Sequence, residues 1–451
     1  MDINHIKLRL CITTLFVIFV GLSGSVFAKN IYTLESINGN GVIKVSLNLP
    51  SSHGSIFLKA RGVDWGLQPQ IDNMYCDNVL ILQQEKGVWR MPAKCKIASW
   101  EVYPNTGRFG NTDASRQESI FIPGATDKNI LFSEPTSLAR IIDEDDAILT
   151  TGNDIKLLGA TKATQENSQA SPSWMIPAYK KAPEFYLIGD LQFFTSELTD
   201  LNVTYFSDNP FLTDELHLNE FHKKAIGFLL DSIPEFKEKL ASEKINLLVV
   251  WLGSNAQNNF IGGAAGYRSF VSNYLYGDNV DIQKNNLKTL TVITHEQFHQ
   301  LIELIRGNNE SQPVWIEEGL AQYYGLKALN NIHDPNNQDV SEITSSFINK
   351  NKPIDFSFTE LNKQFKEGNN GVYPLFYTQG ATFWSMLDAA LLESSQGKYG
   401  LDESISLLIR SKPDEKGGLP VEYERKIVEI GGGKVKKLID MYVEGKNKST
   451  K

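Results

Sequence analysis

The run Thr294-His295-Glu296-Gln297-Phe298-His299 constrains this chain more than any other segment. The sequence has only seven histidines, and two of them stand four residues apart here. On a helix that spacing puts both imidazoles on one face, one turn apart. The flanks support a helix. Leu287, Leu290, Ile293, Phe298, Leu301, Ile302 and Ile305 supply an apolar stripe, and Gly307 is a suitable terminator after Arg306. Two imidazoles so placed can hold one Zn²⁺, with Glu296 facing the same cleft from the neighbouring position.

Zinc needs a third protein ligand and an open position for water. A metzincin would carry Gly at 302 and His at 305, and both are Ile here, so that class is excluded. Glu303 lies one turn beyond His299, but three ligands strung along one helix would splay. A second helix suits a tetrahedral site better, and one follows. Pro313 fits its first turn, ahead of Trp315-Ile316-Glu317-Glu318-Gly319-Leu320-Ala321-Gln322-Tyr323-Tyr324.

Glu318 follows His299 after eighteen intervening residues. This combination resembles the gluzincin metallopeptidases, which pair HExxH with a downstream W-x-x-E-G-x-A type helix whose Glu completes the site. The gap is similar to that of the aminopeptidase N family. The Trp…Glu-Gly…Tyr-Tyr run also resembles the glycyl aminopeptidase family. The resemblance spans roughly residues 245–395. It implies one Zn²⁺ per chain on His295, His299 and Glu318, with Glu296 as general base in peptide-bond hydrolysis. Glu317 precedes the family's Glu-Gly pair, and lines the site or is solvated.

Two further segments match. In the aminopeptidase N family a Tyr-x-x-Gly segment opens a helix, and its Tyr donates to the oxyanion. Tyr377 holds that position in Tyr377-Thr378-Gln379-Gly380, with Tyr373 as the other candidate. Ile261-Gly262-Gly263-Ala264-Ala265-Gly266 lies where these families carry a Gly-rich edge strand. Substrate backbone adds to such an edge, which makes Gly262, Gly263 and Ala264 the expected substrate-binding residues. The family's acid, which pairs with the substrate's N-terminal amine, is missing: the matching residues are Ala264, Ala265 and Gly266. That departure points to an endopeptidase. Other readings stay open: an aminopeptidase whose acid comes from Glu317, Glu303 or elsewhere, an inactive zinc-containing peptide-binding or processing factor, and a structural envelope protein with a coincidental HExxH.

The rest of the chain frames this site. Lys7 and Arg9, the apolar run Leu10–Leu22, and small residues at Val26 and Ala28 read as a signal peptide over residues 1–28. The mature protein is then exported, to the periplasm or beyond, and has no stretch of the roughly 18 apolar residues a membrane span needs. Cleavage leaves Cys76 and Cys95, most simply a disulfide. Lys+Arg 44 against Asp+Glu 53 gives a net charge of −9 spread along the chain, which argues against a nucleic-acid partner. The expected partner is a peptide or protein substrate.

Alternating runs at 42–47, 55–59, 79–82, 88–91, 97–102 and 185–188 predict a β-rich N-terminal domain over 29–207, with a polar loop at 160–173. From 208 to 451 the pattern predicts a helix over 214–230 and strands at 245–251 and 269–276. Further helices are expected near 286–306, 313–328, 375–393, 402–411 and 420–443, the last broken at Gly431-Gly432-Gly433. The expected class is α+β: an all-β domain, then a gluzincin-like catalytic domain with a small sheet, mostly helical towards its C-terminus.

Overall fold

The structure is a computed structural model. It describes residues 29–50, 54–106, 112–122, 129–163, 172–198, 201–257, 261–277, 281–307, 309–334 and 336–446. The segment read as a signal peptide, and most of the 160–173 loop, lie outside the described residues. Among the described residues, no helix is long and apolar enough to cross a membrane.

The fold is α+β. The N-terminal half holds three sheets of seven, three and four strands. In the largest, Ile31–Ile37, Ile43–Asn48, Ile97–Val102 and Ile71–Cys76 lie side by side and antiparallel. Alternate residues such as Tyr32, Leu34, Val45, Leu47 and Trp100 point into one shared core. The strands at 88–91 and 97–102 have the expected bounds, while 79–82 shortens to Val79–Leu80. Cys76 and Cys95 form a disulfide with Cα atoms 5.7 Å apart, closing a loop of sequence separation 19. A loop of that length should contribute about 3 kcal/mol. We therefore expect no free thiol in the unfolded mature protein, and a fall in stability of that size on reduction. Titration of two thiols without reductant would refute the bridge.

The second half is built on a five-stranded sheet. Its order is Phe194–Leu198, Leu201–Ser207, Ile245–Asn255, Ser269–Tyr276 and the edge strand Gly263–Ala265. The inner three run parallel, and both edge strands are antiparallel to their neighbours. The sheet is covered on both faces, which explains the unbroken apolar run at 247–252. Leu247, Val249 and Trp251 face the helical core, while Leu248, Val250 and Leu252 face residues of the β-rich half, including Ile120, Leu131 and Phe185. Strand alternation therefore ties the two halves together through one sheet. Hydrogen bonds reinforce the seam: Phe185 N–H donates to Ser269 Oγ at 2.7 Å, and Tyr267 N–H to the Pro183 carbonyl at 2.7 Å.

Helices pack on the other face. The HExxH helix runs Ile282–Arg306, longer at its start than the apolar stripe suggests because Asp281 caps the Lys284 N–H. The expected helix over 214–230 is instead two helices, Pro210–Glu215 and Leu218–Ser232. The break falls at His217, whose φ of 52° no helix interior accepts. Three helices, Pro234–Ser242, Gln338–Phe347 and Phe358–Lys366, were not expected from the sequence. The C-terminal run Val421–Tyr442 bends at Gly432, whose φ of 58° makes it the expected break between two helical pieces.

Candidate metal centre and active site

Three helices meet at the site, and glycines decide how closely. The second helix, Val314–Ile332, lies against the HExxH helix at Gly325. A Cβ there would sit 2.9 Å from the His295 backbone nitrogen. The third helix, Tyr373–Ser394, touches the second where Gly380 meets Gly319. A Cβ on Gly380 would lie 2.7 Å from the Gly319 Cα. Real side chains at these points would push the helices apart. The Gly of Glu318-Gly319 and the Gly of Tyr377-x-x-Gly380 are thus two sides of one contact. Aromatic stacking holds the packing: Phe298 on Tyr324 at 4.6 Å, and Trp315 on Phe358 at 4.1 Å.

The three expected ligands converge. His295 Nε2 is 3.1 Å from Glu318 Oε2 and 3.1 Å from His299 Nε2, and His299 Nε2 is 3.4 Å from Glu318 Oε2. Zinc bonds of roughly 2.0–2.1 Å in a tetrahedron give edges of about 3.3 Å. The ligand atoms are therefore spaced as three corners of such a site, and the donor set fits zinc. Burial works against a charged His299, but the Glu318 carboxylate outweighs it and pushes the imidazole up to about 9. Burial would likewise raise Glu318, yet His299 and His295 hold it far below the usual carboxylate range. The buried Nδ1 of His295 has no hydrogen-bond partner.

Glu296 lies beside this cluster, under the edge strand. A Cβ on Gly263 would come within 2.5 Å of Glu296 Cγ, so only Gly lets the strand pass this close. Burial raises the Glu296 carboxyl above its ordinary range, against the pull of His295 and His299, and the Ala265 N–H donates to it. The three expected substrate-binding residues part company here. Gly263 faces Glu296, whereas Ala264 points into the core shared with the β-rich half. Gly262 faces the Asp113 carboxylate and Ser115.

Tyr377 and Tyr373 both border the site. The Tyr377 ring lies 5.4 Å from that of His295. The Tyr373 hydroxyl donates to Glu318 Oε1 at 2.8 Å. Glu317 turns elsewhere: its Oε1 accepts from Arg306 Nη2 at 2.6 Å and from the Gln312 N–H at 2.8 Å. Arg306 also pairs with Glu303. Both acids open as amine acceptors in the sequence are therefore engaged by one guanidinium.

Sequence reasoning missed Arg306, Gly325, Asn273 and Asp113. Asn273 is fully buried on the strand beside the edge. Its side chain accepts from the Ala114 and Gly262 N–H groups and donates to the Thr112 and Leu252 carbonyls. An Asn inside an apolar strand was the one available signal.

Solved structures share this fold. The crystal structure of an aminopeptidase N family protein from Idiomarina loihiensis is similar with a TM-score of 0.58 at 14% identity, over 84% of this chain and 70% of that one. The chain thus has an aminopeptidase N-like α+β fold. No family model matches the sequence, and no curated protein does.

Proposed function

We propose that the chain is an exported zinc-dependent metallopeptidase of the gluzincin type, with a β-rich N-terminal domain and a catalytic domain that begins with the strand Phe194–Leu198, earlier than the boundary at 207/208 read from the sequence. The observation that carries this reading is the convergence of His295, His299 and Glu318 beside the half-buried Glu296. These three residues would hold the ion. When bound, zinc supplies Lewis acidity for the scissile carbonyl and lowers the pKa of a water towards about 7.

The chain's own residues do the rest. Glu296 accepts the proton of the attacking water and delivers it to the leaving amine. The Tyr377 hydroxyl stabilises the developing oxyanion. The backbone of Gly263, on the open side of the edge strand, pairs with an extended substrate, because Asn273 already engages both backbone groups of Gly262. The test is a peptide-library digest mapped by mass spectrometry, with and without chelator, alongside elemental analysis. Absence of both metal and cleavage would overturn the proposal.

Cleavage within chains is the favoured specificity. An aminopeptidase must pair the substrate ammonium with a carboxylate, because an unpaired charge there is strongly disfavoured. The edge strand supplies none, and Arg306 engages Glu303 and Glu317. One observation favours an aminopeptidase instead: the Asp113 carboxylate lies against Gly262 at the start of that strand. Paired peptides with free and acetylated N-termini separate the two. We expect both to be cut at similar rates, with Asp113→Asn changing little. Exclusive removal of single residues from free N-termini, lost in Asp113→Asn, would establish the aminopeptidase.

A further inference from the structure

We infer that Tyr373 is a positioning residue for Glu318, and that its hydroxyl sets how tightly the site holds its metal. The inference rests on the zinc reading and deepens it. The two oxygens of Glu318 have separate partners. Oε2 faces the imidazoles, at 3.1 Å from His295 Nε2 and 3.4 Å from His299 Nε2. Oε1 accepts the Tyr373 hydroxyl at 2.8 Å. With Oε1 so engaged, the carboxylate presents a single oxygen to the histidine pair. One-oxygen ligation leaves room for the open position that a catalytic site requires.

The phenol is held in place from the far side. The Tyr373 ring packs against Phe365 at 5.5 Å, Phe376 at 5.7 Å and Tyr377 at 5.6 Å. Phe365 belongs to Phe358–Lys366, a helix outside the zinc motifs, closed by a capping box between Ser357 and Glu360. A ring fixed on three sides can orient a carboxylate without losing much of its own freedom on doing so. Glu318 is also steadied through its neighbour, because Glu317 is tied to Arg306 and the Gln312 N–H.

Residues that hydrogen-bond to metal ligands typically change metal affinity by about 10–100-fold when removed. Tyr373→Phe removes one oxygen and keeps the ring. The experiment measures zinc affinity by chelator competition on the mature full-length protein, for wild type, Tyr373→Phe and Tyr377→Phe. Thermal melts run in parallel, with the visible spectrum of each cobalt-substituted form. We expect Tyr373→Phe to weaken zinc about 10–100-fold and to alter the cobalt spectrum, with an unchanged metal-free melt. Tyr377→Phe, whose phenol also lies against Glu318, should lose turnover and weaken zinc less than Tyr373→Phe does. If Tyr373→Phe binds zinc as wild type does, the inference is overturned while the zinc reading stands. A wild type that binds no zinc overturns both. A Tyr373→Phe whose metal-free melt falls and whose zinc affinity does not would make the phenol a packing group only.

Discussion

Glu296→Gln should retain its zinc and its fold and lose peptide hydrolysis by at least about 10²-fold, the scale of removing a general base. The amide is nearly isosteric with the carboxylate, which matters under this strand. Gly263 leaves just enough space for the Glu296 side chain, and a bulkier group would displace the edge that aligns substrate. Gln keeps that volume but cannot take up a proton at neutral pH. The proposed metal ligands are His295, His299 and Glu318, none of which is changed, so metal content should stay at the wild-type level. Kinetics on an unstructured protein, with elemental analysis of the same sample, tests both halves. A variant working near the wild-type rate would remove Glu296 from the mechanism.

The cluster of His295, His299 and Glu318 was legible because its residues lie close in sequence. His295, Glu296 and His299 fall within one helical turn, and Glu318 opens the next helix. Strands buried on both faces were legible for a similar reason. Leu247 to Leu252 is continuously apolar, and the strand that contains it runs Ile245–Asn255. What stayed hidden depends on partners distant in sequence. The hairpin of Phe194–Leu198 and Leu201–Ser207 joins the sheet of the second half through parallel pairing with Ile245–Trp251. No local pattern specifies that pairing. Gly325 looks like any helical glycine until the His295 backbone is found against it. Arg306 reads as a helix-terminating cation, yet it links Glu303 to Glu317 across the loop between two helices. Helix Gln338–Phe347 has a single fully buried apolar residue, Val340, so its stripe is too thin to stand out. That the Tyr373 hydroxyl reaches Glu318 Oε1 is a matter of packing angles that spacing leaves undetermined.

Glu318→Ala should strip the site of zinc and abolish activity. Two imidazoles on one helix remain, and two protein ligands rarely hold zinc in a protein site. The loss should exceed the roughly 10–100-fold expected for removing an outer hydrogen-bond partner, because here a ligand itself is gone. The metal-free protein should pay a smaller penalty of its own. Alanine leaves the partly buried Tyr373 hydroxyl without its acceptor, a cost of about 1–3 kcal/mol if water does not replace it. It also removes the carboxylate that pushes His299 up to about 9. That imidazole should then titrate at a lower pH, shown by the shift of its ring protons in NMR spectra of the metal-free variant. Glu317→Gln is the matched control. It disturbs the neighbouring carboxylate and its Arg306 pair but leaves the three converging atoms in place, so zinc should stay near one per chain. Full zinc in Glu318→Ala, or loss of zinc in Glu317→Gln with retention in Glu318→Ala, would transfer the third ligand from Glu318 to its neighbour.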